Sequence, residues 1–215
     1  LFNKKIYFDK VRASLFSGNL TQQQVDGQED ILLVWDMLKA TDLRRLAYML
    51  ATAYHETSQQ MWPIEEYGKG SGQPYGAIDP ETQQAYYGRG YVQLTWKENY
   101  QRGTDELELT GEDDLVQHPS KALDPIIAAK IMYLGMHEGW FRSDDKGPET
   151  LPRYFSKTVE DPYEAREIIN GDKHIYPSWD THRTIGYLIC TYYDKFLDAV
   201  VAAYQQPKRK RKVRR

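Results

Sequence analysis

The sequence predicts a mainly helical α+β fold. Three observations carry that reading. Four stretches place apolar residues at helical spacing behind recognisable start signals, one aromatic stretch between them alternates instead, and no internal repeat is present.

Thr21 and Gln24 have the spacing of a capping box and open a segment whose apolar residues include Val25, Leu32, Trp35 and Leu38. Thr41 is placed to cap a second helix, with Leu43, Leu46, Ala47, Leu50, Tyr54 and Thr57 on one face. Asp124-Pro125 forms an N-cap and first-turn pair, starting a helix through Ile127, Ile131 and Leu134 to a stop at Gly139. A final long helix is expected from about Ser178 to Tyr204, with Ile185, Leu188, Ile189, Tyr192, Phe196 and Val200 facing inward. Shorter helices are expected near Phe2–Leu15 and after Asp161-Pro162, the latter ending at Asn170-Gly171. Between the second and third strong helices, residues 68–76 are glycine-rich and Tyr86 to Trp96 alternates, which favours short strands or an extended loop. A small β or loop element beside a helical body leaves a natural cleft.

The 215 residues suffice for one domain with a real core, taken as residues 1–206. Hydrophobic residues at 40% and charged residues at 27% exclude a disordered chain. Seventeen tyrosines and five tryptophans supply core filling and the flat faces on which sugar rings stack. The single cysteine, Cys190, excludes an intramolecular disulfide and lies in an apolar helical run, so it reads as an inert thiol. Lysines and an aspartate interrupt Phe2, Ile6 and Phe8, and Asp194, Lys195 and Asp198 break the stretch near Ile185 to Tyr204. Neither a signal peptide nor a membrane span is therefore expected. If the substrate lies outside the cytoplasm, holin-type or other release is required.

Charge is segregated. Residues 208–215 carry seven of the 28 basic residues and no acid, leaving 21 basic against 31 acidic residues, a formal −10, in the remainder. The basic run, 207–215, predicts a solvated, disordered tail. It also resembles a nuclear-import signal or an added segment. Near a cell envelope it would serve as an electrostatic contact with anionic envelope polymers, at roughly 1 kcal/mol per cation. No specific nucleic acid is expected, since such a reading explains nothing about residues 20–204. A monomer is expected.

His55-Glu56-Thr57 ends the second helix. A zinc-protease motif fails there, because position 59 is Gln59. His118, His137, His174 and His182 share no ligand spacing, so no metal and no cofactor is expected. Glu56 sits at the border of the core stripe in the last helical turn. The helix dipole and partial burial both favour its protonated form, which a general acid needs. Glu65 follows nine positions later on a segment that Pro63 keeps non-helical. Glycosidases require two carboxyl groups, separated by roughly 6.5–9.5 Å where a water must fit between them. Glu66 and Glu81 compete for the second role. The paired glycines of Tyr87-Gly88-Arg89-Gly90 allow close backbone approach, Gln93, Thr95 and Asn99 offer neutral hydrogen bonds, and Trp96 and Tyr100 offer apolar faces. That mixture suits a sugar chain. The Gly68–Gly72 spacing fits no nucleotide-binding loop.

The HET triplet, the glutamate nine residues on, the segment YYGRGYVQLTWKENY, Ile169-Asn170-Gly171 and Arg183-Thr184-Ile185-Gly186-Tyr187 together resemble the family 19 glycoside hydrolases. These comprise chitinases and a shorter branch of phage and prophage endolysins, to which this compact chain looks closest. The resemblance runs from about Leu20 to Tyr204. It implies a lysozyme-like α+β fold and hydrolysis with inversion, with peptidoglycan as the substrate. It makes Glu56 the general acid, Glu65 the general base and Thr95 a residue that positions water. His55, Tyr87, Arg89, Gln93, Trp96, Asn99, Tyr100, Asn170 and Arg183 make up the expected substrate-binding set. Two departures stand at expected cleft positions: Tyr91 where chitinases usually have proline, and Glu98 where plant members usually have tyrosine. Both weigh against chitin. The rival readings are a chitinase and a catalytically dead glycan-binding protein, and the presence of both glutamates argues against the latter.

Overall fold

The computed structural model describes residues 2–204, so the basic run at 207–215 lies outside the described residues. Asn3 caps α1 (Lys4–Leu15) by accepting from the Ile6 amide at 3.1 Å. The expected capping box opens α2 (Gln22–Met37): Thr21 Oγ1 accepts from the Gln24 amide, and Gln24 Oε1 accepts from the Thr21 amide. The cap of α3 (Leu43–Glu56) is Asp42 rather than Thr41. Its carboxylate accepts from the Arg44 amide and also grips the Arg44 guanidinium, combining a cap with a charge that suits the helix N-terminus.

A two-residue strand β1 (Ile64–Glu65) pairs antiparallel with β2 (Arg89–Gly90), Ile64 opposite Gly90 and Glu65 opposite Arg89. The alternating stretch is thus mostly turn around one short ladder. Next comes α4 (Lys97–Glu106), a largely polar helix with no side-chain cap, which apolar spacing does not announce. The Asp124-Pro125 start of α5 (Pro125–Glu138) and its left-handed stop at Gly139 (φ 74°) are as expected. A second two-residue ladder, β3 (Ser143–Asp144) with β4 (Gly147–Pro148), precedes the single turn α6 (Leu151–Tyr154). The helix expected after Asp161-Pro162 is a 3-10 segment, Glu164–Ile168.

The last helix, α7, spans Ile185–Tyr204 and does not begin at Ser178. Asp180 accepts from the His182 and Arg183 amides, and Ile185 N–H donates to Ile175 O. These bonds close residues 172–184 into a loop and delay the helix. Along α7, Cys190 is half-buried, and burial pushes its thiol up to about 11, in keeping with an inert role.

α7 packs along α3 and α1, and α2 packs against α5. Helix α3 is enclosed, with Leu46 through Tyr54 all buried, each large apolar side chain contributing about 1.5–3 kcal/mol. Its end is therefore fixed, and with it Glu56. α2 crosses the chain between α3 and β1 at very short range: a Cβ on Gly27 would lie 1.8 Å from Met61 O. No helix among the described residues is long and apolar enough to cross a membrane. The architecture is the mainly helical, lysozyme-like α+β fold that the sequence predicts.

Candidate active site

Glu56 is the last residue of α3, and the Thr57 that follows does the stopping. Thr57 Oγ1 donates to Ala53 O at 2.7 Å and accepts from the Met61 amide at 2.9 Å. This clamp holds Ser58, Gln59 and Met61 at positive φ (49°, 69° and 51°), a conformation that non-glycine residues adopt only under constraint. The threonine of the HET triplet is thus the hinge pin that turns the chain away from Glu56 towards β1.

Arg166, on the 3-10 segment, meets Glu56. One guanidinium nitrogen, Nη1, donates to Glu56 Oε1, while Nε and Nη2 reach the two oxygens of Asp172 at 2.6 and 2.9 Å. Arg166 is only 2% exposed, and two carboxylates compensate its buried charge. The sequence reading missed both Arg166 and Asp172. Asn170 is exposed; it donates to Asp172 Oδ2 at 3.1 Å and extends the same network.

Glu65 sits on β1 in a second, separate network. Tyr87 donates its hydroxyl to Glu65 Oε1 at 2.7 Å, Arg89 Nε lies 3.4 Å from the same oxygen, and Lys69 Nζ lies 3.4 Å from Oε2. The Tyr87 hydrogen bond above all, with Lys69 and Arg89 behind it, holds this carboxyl below its ordinary range against the opposing effect of burial. The Arg89 guanidinium stacks 3.6 Å from the Tyr87 ring centroid, and its Nη1 donates to Tyr100 Oη at 2.9 Å. Tyr100 in turn donates to Tyr87 O at 2.7 Å. Three residues expected on the substrate are therefore packed around Glu65 instead. Tyr100 is wholly buried, and Arg89 and Tyr87 are nearly so. They form a scaffold that fixes and ionises Glu65.

Gln93, Thr95, Trp96 and Asn99 do share a cavity, of about 230 Å³, whose other wall is Phe141, Arg142 and Ile169. Gln93 and Trp96 take positive φ (54° and 72°) there. Gln93 Nε2 donates to Ile64 O and Gly90 O, tying this wall to β1, and Asn99 Nδ2 donates to Thr95 O at 2.9 Å. Thr95 is partly accessible. The opposite wall is a second omission of the sequence reading, because no local pattern marks Phe141 or Arg142.

His55 faces elsewhere, lining a larger cavity of about 480 Å³ with Tyr54, Ser58, Gln59, Trp179 and Tyr192. Burial lowers the imidazole below its usual range, with Glu56 pulling the other way, so the ring is neutral at pH 7. Arg183 is exposed and bound to Asp180, with Nε at 2.7 Å and Nη2 at 2.6 Å; the cation paired with Glu56 is Arg166.

The competing carboxylates are otherwise engaged. Glu66 accepts from the Gly88 amide and Tyr75 hydroxyl, and Glu81 is exposed and paired with Lys97 at 2.8 Å. Tyr91 is not at the cleft: it is wholly buried and donates to Gly27 O at 3.0 Å. Glu98 is exposed on α4 and does not line the cavity that holds Gln93, Thr95, Trp96 and Asn99. The two departures from the chitinase pattern therefore say little about substrate.

No family model matches the chain, and no curated protein matches it. Solved structures do. Chitinase C from Streptomyces griseus HUT6037 superposes with a TM-score of 0.59 at 21% identity, covering 96% of this chain and 79% of that one. A mutant of chitinase C gives 0.58 at 19%, with the same coverage. A bacterial family 19 chitinase gives 0.48 at 18%, covering 93% and 94%. The fold is that of chitinase C.

Proposed function

We propose that this chain is an inverting hydrolase of β-1,4-linked N-acetylated amino-sugar glycans, and that its substrate is bacterial peptidoglycan. One observation carries the reading: two carboxylates, Glu56 at the end of a buried helix and Glu65 on β1, are held by independent networks. A cavity lined by Gln93, Thr95, Asn99, the Trp96 ring and Arg142 is tied to β1 through the Gln93 hydrogen bond to Ile64 O.

Glu65, kept ionised, takes a proton from water, and Thr95 orients that water. The water oxygen bonds to the anomeric carbon as the bond to the leaving oxygen breaks. Glu56, entering the step as the neutral acid while Asp172 compensates the Arg166 charge, gives its proton to that oxygen, and the configuration inverts. Neutral donors and acceptors on Gln93 and Asn99 suit acetamido and hydroxyl groups. Working on the wall would follow release from the cytoplasm, in the manner of an endolysin.

A chitin substrate is the second reading. It is favoured by the chitinase C fold and by Tyr91 lying in the core, which removes an objection to chitin. Parallel digestion of purified peptidoglycan and chitin oligomers, with mass spectrometry of the products, tests both. Peptidoglycan fragments with reducing-end muramic acid are expected. Cleavage of chitin alone would replace the first reading with the second, and cleavage of neither would end both.

A further inference from the structure

The end of α3 remote from Glu56 carries a cavity of about 360 Å³ with a strongly cationic lining. Lys39, Arg44, Arg45 and Lys157 line it against a single carboxylate, Asp42. The chain before the basic run carries a formal −10, so this patch opposes the charge of the body around it. The 14 residues of α3, at about 1.5 Å each, put the cavity roughly 20 Å from the proposed acid. It is no part of the candidate active site.

The four cations are not equally committed. Arg44 is spent: Nε and Nη2 grip Asp42 at 2.9 and 2.7 Å, Nη2 also meets Ser156 O, and Nη1 lies 3.5 Å from Glu160. Arg45 gives Nε and Nη2 to a carbonyl, Phe155 O, and lies no nearer to Asp42 than 3.9 Å. Lys39 and Lys157 are exposed, and among the described residues neither has a carboxylate within ion-pair distance. The turn that ends α2 fixes Lys39 at φ 52°, with Ala40 N–H donating to Trp35 O at 3.3 Å. Thr41 lines the cavity too, and its hydroxyl is not needed at the helix start because Asp42 caps α3. The positive field extends behind the wall. His137, stacked on Tyr133 at 5.6 Å, is held below its usual range by burial first and by Arg45 second, with Glu138 opposing.

Such a lining fits a phosphate group, whose oxygens accept from ammonium and guanidinium N–H groups and from hydroxyls. The cavity is larger than one tetrahedral anion, and its apolar wall is Trp35 and Tyr133. Trp35 is 1% exposed and meets Tyr133 edge-on at 5.9 Å, while His137 stacks on Tyr133. Both rings are engaged by neighbours, which disfavours a nucleobase, since bases bind by stacking on open aromatic faces. Short aliphatic carbons on either side of a phosphodiester suit this wall better.

We propose that this cavity binds a polyol phosphodiester of the glycerol phosphate kind: Lys39, Arg45 and Lys157 hold the phosphate oxygens, and the Trp35–Tyr133 wall packs against the flanking carbons. The inference stands apart from the glycan-hydrolase reading. A bound phosphodiester leaves Glu56, at the other end of α3, clear. The same unit occurs in soluble polymers and in lipid headgroups, and the experiment separates the two.

The test uses the full chain, so the basic run is present in every arm. Calorimetric titration at low salt measures binding of glycerophosphoglycerol, inorganic phosphate and a dinucleotide, and sedimentation measures binding to phosphatidylglycerol vesicles. Lys39→Gln/Lys157→Gln removes two exposed cations from the cavity, and Lys5→Gln/Lys121→Gln removes two elsewhere as a control. Circular dichroism confirms both folds. The wild type should bind glycerophosphoglycerol more tightly than inorganic phosphate or the dinucleotide. Lys39→Gln/Lys157→Gln should raise that Kd by about tenfold, and the control should leave it nearly unchanged. A matching loss on vesicles assigns the lipid headgroup as the source, and a loss on the soluble diester alone assigns a polymer. Equal affinity in the wild type and Lys39→Gln/Lys157→Gln would overturn the proposal. So would an equal loss in the control, tighter binding of inorganic phosphate or the dinucleotide, or no binding of glycerophosphoglycerol by the wild type.

Discussion

Arg166 holds Glu56 from 110 residues away in sequence, with one guanidinium nitrogen on Glu56 and two on Asp172. The end of α3 is thereby joined to the loop before α7, and the proposed acid has a fixed direction.

Removing that cation should hurt twice. Arg166→Ala leaves two carboxylates facing each other without compensation, a loss of about 3–5 kcal/mol for a buried pair. Arg166→Lys keeps the charge but cannot make the fork, so it should recover stability better than kcat. Urea unfolding and steady-state kinetics on both variants check this. Wild-type stability and turnover in Arg166→Ala would contradict the assignment.

Tyr87→Phe isolates the tuning of Glu65. The proposed base must be ionised, so the acidic limb of kcat/KM should follow the Glu65 titration, and the Tyr87 hydrogen bond is the chief influence holding that titration low. Loss of the hydroxyl should move the acidic limb to higher pH and leave the rate near pH 7 almost unchanged. A limb that stays in place would mean that Tyr87 does not act on the base.

These two networks show what could be read from residues alone. The capping box at Thr21 and the Asp124-Pro125 start follow from neighbours three residues away or fewer, and both are legible. Glu56 and Glu65 came through a family pattern. Arg166 is invisible to both routes, because its role depends on a contact between distant segments. Arg183 shows the converse: the pattern puts it in the cleft, but Asp180, three residues earlier, captures it. Tyr87, Arg89 and Tyr100 have cleft-like chemistry in a string of letters, and only packing reveals that they face inward.

Stability should fall in two stages on acidification. Burial lowers His55 and His137, so the unfolded chain binds more protons once pH drops below about 6.5. Glu65 is lowered by its partners, so its contribution is present above its unfolded value of 4.5 and is lost as pH falls through the folded value. Urea midpoints measured from pH 7 to pH 3 should decline from about pH 6.5 and decline further below 4.5. His55→Gln should flatten the first stage. A midpoint rising as pH drops from 7 to 5 would contradict this account.

Gly27→Ala should destabilise, although alanine favours a helix interior by about 1 kcal/mol. Its Cβ would meet Met61 O at 1.8 Å, forcing α2 away from the segment that leads to Glu65. A lower melting temperature together with reduced kcat is expected. A more stable, fully active variant would show that the close approach is dispensable.

The central claim is that Glu56 donates the proton to the leaving oxygen. The most direct measurement is turnover of a β-1,4 amino-sugar oligomer by Glu56→Gln, with circular dichroism confirming a native fold. Glutamine keeps the size and one acceptor but carries no acidic proton, so kcat should fall by about 10³-fold or more while the oligomer still binds. Wild-type turnover in a well-folded Glu56→Gln protein would contradict the account.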